Sequence, residues 1–150
     1  MIRGSCLCGR VRFEVRRLTG PFELCHCSRC RKVTGSAFAA TVGAQAEDFR
    51  YLSGESDIGY CELPVRETPP AYALSFCRRC GSALPTPPSS GFFEIPAGLL
   101  EDDPGIRPDK HIYVECGAPW WSARDALPRF TAVEIAAERR RSGRERDERA

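Results

Sequence analysis

Seven of the nine cysteines fall into three tight clusters, and any fold this chain adopts must place those thiols where they can be tolerated. Cys6 and Cys8 lie in GSCLCG, Cys25, Cys27 and Cys30 in LCHCSRCRK, and Cys77 and Cys80 in SFCRRCGS; Cys61 and Cys116 stand alone. In an extended segment the side chains at i and i+2 project to the same side. The pairs Cys6/Cys8 and Cys25/Cys27 therefore each offer two sulfurs to one point, while Leu7 and His26 turn away. A C-x-x-C turn also brings two sulfurs together, and a glycine after it accepts the left-handed backbone that such a knuckle needs. Cys77, Cys80 and Gly81 meet that description.

Disulfides and metal ligation are separated by compartment. The opening MIRGSCLCGR has no apolar core of a secretory signal, and no apolar run approaches the ~20 residues that cross a bilayer. The expectation is a cytoplasmic protein with reduced thiols, and the odd cysteine count agrees. His26 and His111 are the only histidines, so a metal site must be built from thiolate, which selects zinc or an iron–sulfur cluster over magnesium or calcium. Two pairs make one closed four-sulfur site and leave the triplet one ligand short. Zinc with three protein ligands keeps a position for water or substrate, as catalytic sites do. Alternatively, Cys61 or Cys116 completes a second closed site around the triplet. His26 and His111 read as packed side chains rather than ligands, and Trp120 and Trp121 as core or as the wall of a pocket.

At 150 residues, 42% apolar and 28% charged, the chain suits one folded domain. Val11, Phe13 and Val15 alternate with Arg10, Arg12, Glu14 and Arg16, which predicts a strand with one buried face. A second alternating run, Tyr72, Leu74 and Phe76, leads into Cys77, and a third β-like run covers 111–114. Shorter strands are expected near Phe38 and Phe49. Most of the twelve prolines lie beyond residue 84 and break that region into irregular segments, leaving room for one helix over 131–141. We expect a zinc-binding domain over 1–137 and a charged Arg/Glu tail over 138–150. The tail, ERRRSGRERDERA, holds six arginines and four acids, its net +2 equals the formal charge of the whole chain, and mixed-sign tails of this kind are ordinarily solvated helix ends. The rest is balanced in charge, which argues against a nucleic-acid footprint.

The motifs GSCLCGRVRFEV, CHCSRCRKVTGSAF, FCRRCGSAL and AGLLEDDPGIRPDKHIYVECGAPWW resemble, in this order, those of the glutathione-dependent formaldehyde-activating enzyme and centromere protein V family, over residues 4–130. The resemblance implies a mostly β, zinc-bridged antiparallel fold of the β-tent type. It implies two zinc ions per chain, a structural one on Cys6, Cys8, Cys77 and Cys80 and a catalytic one on Cys25, Cys27 and Cys30. The implied activity joins glutathione to formaldehyde as S-hydroxymethylglutathione, a carbon–sulfur lyase reaction read in reverse. An open zinc suits this chemistry because it favours the thiolate, the nucleophilic form. Arg29, Arg31 and Lys32 beside the triplet would attract the carboxylates of glutathione.

Two other readings compete. In the first, zinc only shapes a binding module for protein or nucleic acid, supported here by the Arg-rich tail alone. In the second, the chain reduces methionine sulfoxide, which would require Cys61 or Cys116 as a free nucleophile; no flanking motif supports either residue.

Overall fold

Short strands bounded by glycine, proline and serine are the main regular structure of the protein, whose structure, a computed structural model, describes residues 1–63 and 72–143. The chain begins with β1 (Ile2–Ser5), β2 (Arg12–Val15), β3 (Leu18–Cys25), α1 (Ser28–Thr34), β4 (Ala39–Gln45) and β5 (Phe49–Ser53). It continues with β6 (Ile58–Leu63), β7 (Tyr72–Cys77), β8 (Ala83–Leu84), β9 (Phe92–Pro96), β10 (Lys110–Ile112), β11 (Arg129–Phe130) and α2 (Ala132–Arg141). The mostly β reading is correct. The chain divides into two compact units: Met1–Pro21 with Thr41–Arg107, and Phe22–Ala40 with Pro108–Ala150, of which 144–150 lie outside the described residues.

In the first unit β2 stands between β1 and β5, antiparallel to both. The alternation of Val11, Phe13 and Val15 serves this sheet: all three are fully buried. Phe13 lies 5.3 Å from Phe49, which meets Tyr51 and Phe93 edge-on at 5.0 and 5.3 Å, a geometry that sets a positive ring edge against a negative ring face. β4 pairs with β9, and β7 with β6 and β8, again antiparallel. Gly43 on β4 has no room for a side chain, since a Cβ there would sit 2.3 Å from the Gly20 carbonyl oxygen. The alternation of β7 is real, but its more buried face is that of Ser75 and Cys77, not of Tyr72, Leu74 and Phe76. The reason is the site: Cys77 joins Cys6, Val11 and Leu84 in a core cluster.

The second unit departs from the antiparallel expectation. β10 runs parallel to β3, with Ile112 opposite Cys25, and parallel to β11. The run at 111–114 ends early as a strand, because Tyr113 turns into the left-handed region at φ 57° and a 3-10 turn follows. The expected C-terminal helix is α2. Thr131 caps it, taking the Glu134 N–H while Glu134 takes the Thr131 N–H, a capping box. Residues 138–141 of the charged tail thus belong to a helix, and Arg139 is not solvated: its guanidinium reaches Glu23 at 2.8 Å. Glu23 is 1% exposed and has Lys110 at 4.0 Å on its other oxygen.

A buried carboxylate between two cations is tolerated only while both remain, and removing it strands them in partly buried positions. Glu23→Ala is expected to lower the unfolding free energy by about 3 kcal/mol in urea titration of the metal-loaded protein, and Arg139→Met by less.

Candidate metal centres

Two groups of sulfur form, one in each unit. In the first, the Sγ atoms of Cys6, Cys8, Cys77 and Cys80 all lie within 4.8 Å of one another. Two backbone knuckles produce this. Gly9 closes the first with its N–H on the Cys6 carbonyl at φ 69°, and Gly81 closes the second on the Cys77 carbonyl at φ 76°. Ser82 joins them, since its hydroxyl accepts the Leu7 N–H at 3.0 Å and lies 3.3 Å from the Cys80 sulfur. Cys6 and Cys77 are buried, Cys80 is half-buried and Cys8 is exposed. The Cys8 sulfur is 3.5 Å from that of Cys6 and 3.8 Å from that of Cys77. Four sulfurs placed tetrahedrally at ~2.3 Å from one ion are ~3.8 Å apart, so the donor set fits zinc.

In the second unit Cys25, Cys27 and Cys30 also hold their sulfurs within 4.8 Å of one another. Cys25 ends β3. Cys27 is the N-cap of α1, and its sulfur accepts the Cys30 N–H at 3.4 Å, so C-x-x-C here spans the N-cap and third positions of a helix, whose side chains face each other. Gly35, left-handed at φ 62°, ends the helix after two turns. Among the described residues no fourth His, Cys, Asp or Glu joins this group. Cys61 and Cys116 belong to neither cluster.

Crowded thiols without a cation share their protons. Cys27 accepts from Cys25 and then Cys30 and is pulled down to about 2, while Cys25 is pushed up by Cys27, then Cys30, then burial. In the other group the Ser82 hydroxyl heads the influences that draw Cys80 down to about 5. The Arg10 backbone N–H lowers Cys8 most, yet Cys6, loss of hydration, Cys80 and Cys77 together raise it to about 11. A bound cation would favour the thiolate form of each group, and thiolates alone suit a soft ion such as zinc.

The two histidines meet beside the triplet. His26 is 2% and His111 0% exposed, and His26 Nε2 lies 2.8 Å from His111 Nδ1. His111 Nε2 lies 3.1 Å from both oxygens of Asp125. Burial, then the nearby His111, pushes the His26 pKa below its usual value. Trp121 and Phe38 close around His26 at 4.9 and 5.5 Å, whereas Trp120 is exposed. The expectation that both histidines are packed side chains is correct, but no spacing rule in the sequence ties Asp125 to them. Of the basic residues on α1, Lys32 is exposed and Arg29 and Arg31 are half-buried. The Arg31 Nε is buried with no hydrogen-bond partner among the described residues. A separate open groove of about 390 Å³, lined by Phe49, Arg50, Tyr51, Pro87 and Pro88 among others, contains neither sulfur group.

Residues 1–116 match the model of a family described as glutathione-dependent formaldehyde-activating enzyme. The chain belongs to this family. A Halomonas elongata protein assigned as a glutathione-dependent formaldehyde-activating enzyme is 36% identical over 87 residues, which are 56% of this chain and 54% of that protein. The chain thus matches about half the length of this relative. The crystal structure of a Rhodobacter sphaeroides protein is similar with a TM-score of 0.51 and 27% identity, covering 71% of this chain and 91% of that one. The match to the formaldehyde-activating family includes both sulfur groups and ends at Cys116, short of the 4–130 expected from the motifs, so Trp121 and Asp125 lie beyond it. No helix among the described residues is long and apolar enough to cross a membrane.

Protein purified without chelator is expected to carry two zinc ions per chain by elemental analysis. Cys30→Ser is expected to remove one and leave the circular-dichroism spectrum unchanged. A content of one, insensitive to that substitution, would contradict a metal at the triplet.

Proposed function

We propose that this chain is a zinc-dependent carbon–sulfur lyase of the S-hydroxymethylglutathione synthase type, working in the reducing cytosol with a structural zinc on Cys6, Cys8, Cys77 and Cys80 and a catalytic one on Cys25, Cys27 and Cys30. The observation that carries this reading is the inequality of the two groups: four sulfurs in one, three in the other, with no fourth donor beside the three among the described residues. Zinc held by three thiolates keeps one coordination position for a substrate thiol and favours its ionised form there. The overall reaction balances without an oxidant. The thiol sulfur bonds to the aldehyde carbon, the carbonyl π bond breaks, and the proton lost from sulfur ends on oxygen.

The protein's own groups supply binding and orientation. Glutathione carries two carboxylates, and Arg29, Arg31 and Lys32 sit on the helix that begins at the triplet. Arg31 is the strongest candidate of the three because its buried Nε has no hydrogen-bond partner among the described residues, and such a donor gains most from a carboxylate that reaches it. Arg31 and Lys32 also occupy the last turn of α1, where a cation is favoured by the helix dipole whether or not a substrate binds. The half-buried Trp121 and Phe38, 5.3 Å apart, present apolar surface near His26.

Acceleration of S-hydroxymethylglutathione formation over the spontaneous rate, followed by exchange NMR, tests the reading, and Cys30→Ser is expected to abolish it. Arg31→Ala is expected to raise KM for glutathione about ten-fold with kcat little changed, the loss of ~1.4 kcal/mol of charged hydrogen bonding. Cysteamine, which has no carboxylate, should be indifferent to that substitution. Equal turnover by wild type and Cys30→Ser would remove the triplet from the chemistry.

A further inference from the structure

Both histidines of the chain are spent on a single buried contact, and that contact leads to the residue between two of the triplet's sulfurs. His26 separates Cys25 from Cys27, so the backbone angles at His26 decide whether the two sulfurs converge. His26 is held through its backbone, both sides of its ring and its aromatic neighbours. Its backbone N–H donates to the Ile112 carbonyl at 3.0 Å, its ring hydrogen-bonds the Ala37 backbone and meets His111 at 2.8 Å, and Trp121 and Phe38 pack against it. His111 is held in turn. A carboxylate only accepts, so His111 donates from Nε2 to Asp125, which leaves Nδ1 for His26. Asp125 is fixed by the Leu127 N–H on Oδ1 at 3.0 Å, while its carbonyl accepts from Arg129 at 2.9 Å.

We propose that Asp125, His111 and His26 form a positioning strut that aims the Cys25 and Cys27 sulfurs at a common ion, with Asp125 as its outer anchor. None of the three ligates the ion. The inference rests on the reading that the triplet holds zinc. Two imidazoles withdrawn from water need partners for their ring nitrogens, and the aspartate supplies the outermost one at the surface. Without that anchor the His111 ring is free to turn, the 2.8 Å contact to His26 is lost, and the segment between the two sulfurs loses its lateral support. Outer groups of this kind typically change metal affinity 10- to 100-fold.

The test follows zinc release to a chromogenic chelator from the full chain, with Cys30→Ser identifying which kinetic phase belongs to the triplet. Asp125→Ala and His111→Gln are expected to speed the triplet phase about ten-fold and leave the four-cysteine phase unchanged. Asp125→Asn keeps an acceptor oxygen and is expected to restore most of the wild-type rate, which also covers the case in which the alanine variant does not fold. Cobalt substitution adds a spectroscopic check, since only the triplet's bands should shift in Asp125→Ala. Unchanged release from the triplet overturns the strut, as does parallel acceleration of both phases, which is the signature of general loosening. A wild type with a single zinc, insensitive to Cys30→Ser, overturns the strut together with the zinc reading, whereas two zinc ions with normal release in the variants overturn the strut alone.

Discussion

Thiols held within 4.8 Å of one another form a constraint that hydrogen bonding alone cannot satisfy. In the triplet the neighbouring sulfurs draw the Cys27 thiol down and push the Cys25 thiol up, an uneven division of protons that a bound cation would relieve. The surrounding structure takes the same form in both units. Cys6 and Cys77 pack with Val11 and Leu84, and Cys25 packs with Ile112 and Ile135, so each sulfur group is itself part of a hydrophobic core. A metal bound at either group would therefore not contribute to stability separately from the core.

The sequence made the sulfur groups legible because their geometry is local. A C-x-x-C turn followed by glycine needs only a short-range rule, and the φ of Gly81 bears it out, whereas Cys6 and Cys8 converge through a turn closed by Gly9 and not on the extended backbone expected of them. The strand at Val11, Phe13 and Val15 was equally plain, since period-two alternation reports one buried face. So was the helix after Thr131, where the capping residue and the glutamate three positions on are both present.

What the sequence concealed is what depends on distant residues. Glu23 sits in a stretch that reads as ordinary strand, and the cations that compensate its charge, Lys110 and Arg139, are distant in sequence, Arg139 by 116 positions. That arginine belongs to a charged run whose composition suggests solvation. Asp125 and His111 are 14 residues apart with irregular chain around the acid, so no periodicity relates them. The parallel pairing of β10 with β3 is non-local as well. The short helix α1 lay beneath a cysteine pattern that already accounted for its residues, and the N-cap function of Cys27 is visible only once Ser28 is known to begin a helix.

Cys8 differs from its three partners in facing water. A coordination shell with one solvent-facing donor has a doorway: an ion can be handed to the outermost sulfur first and drawn inward as the others take hold, and it can leave by the reverse route. The same opening would admit small oxidants and competing thiols. A group whose geometry is suited to holding the N-terminal strand against the middle of the chain thus also has one sulfur within reach of solvent, through which a bound ion would exchange.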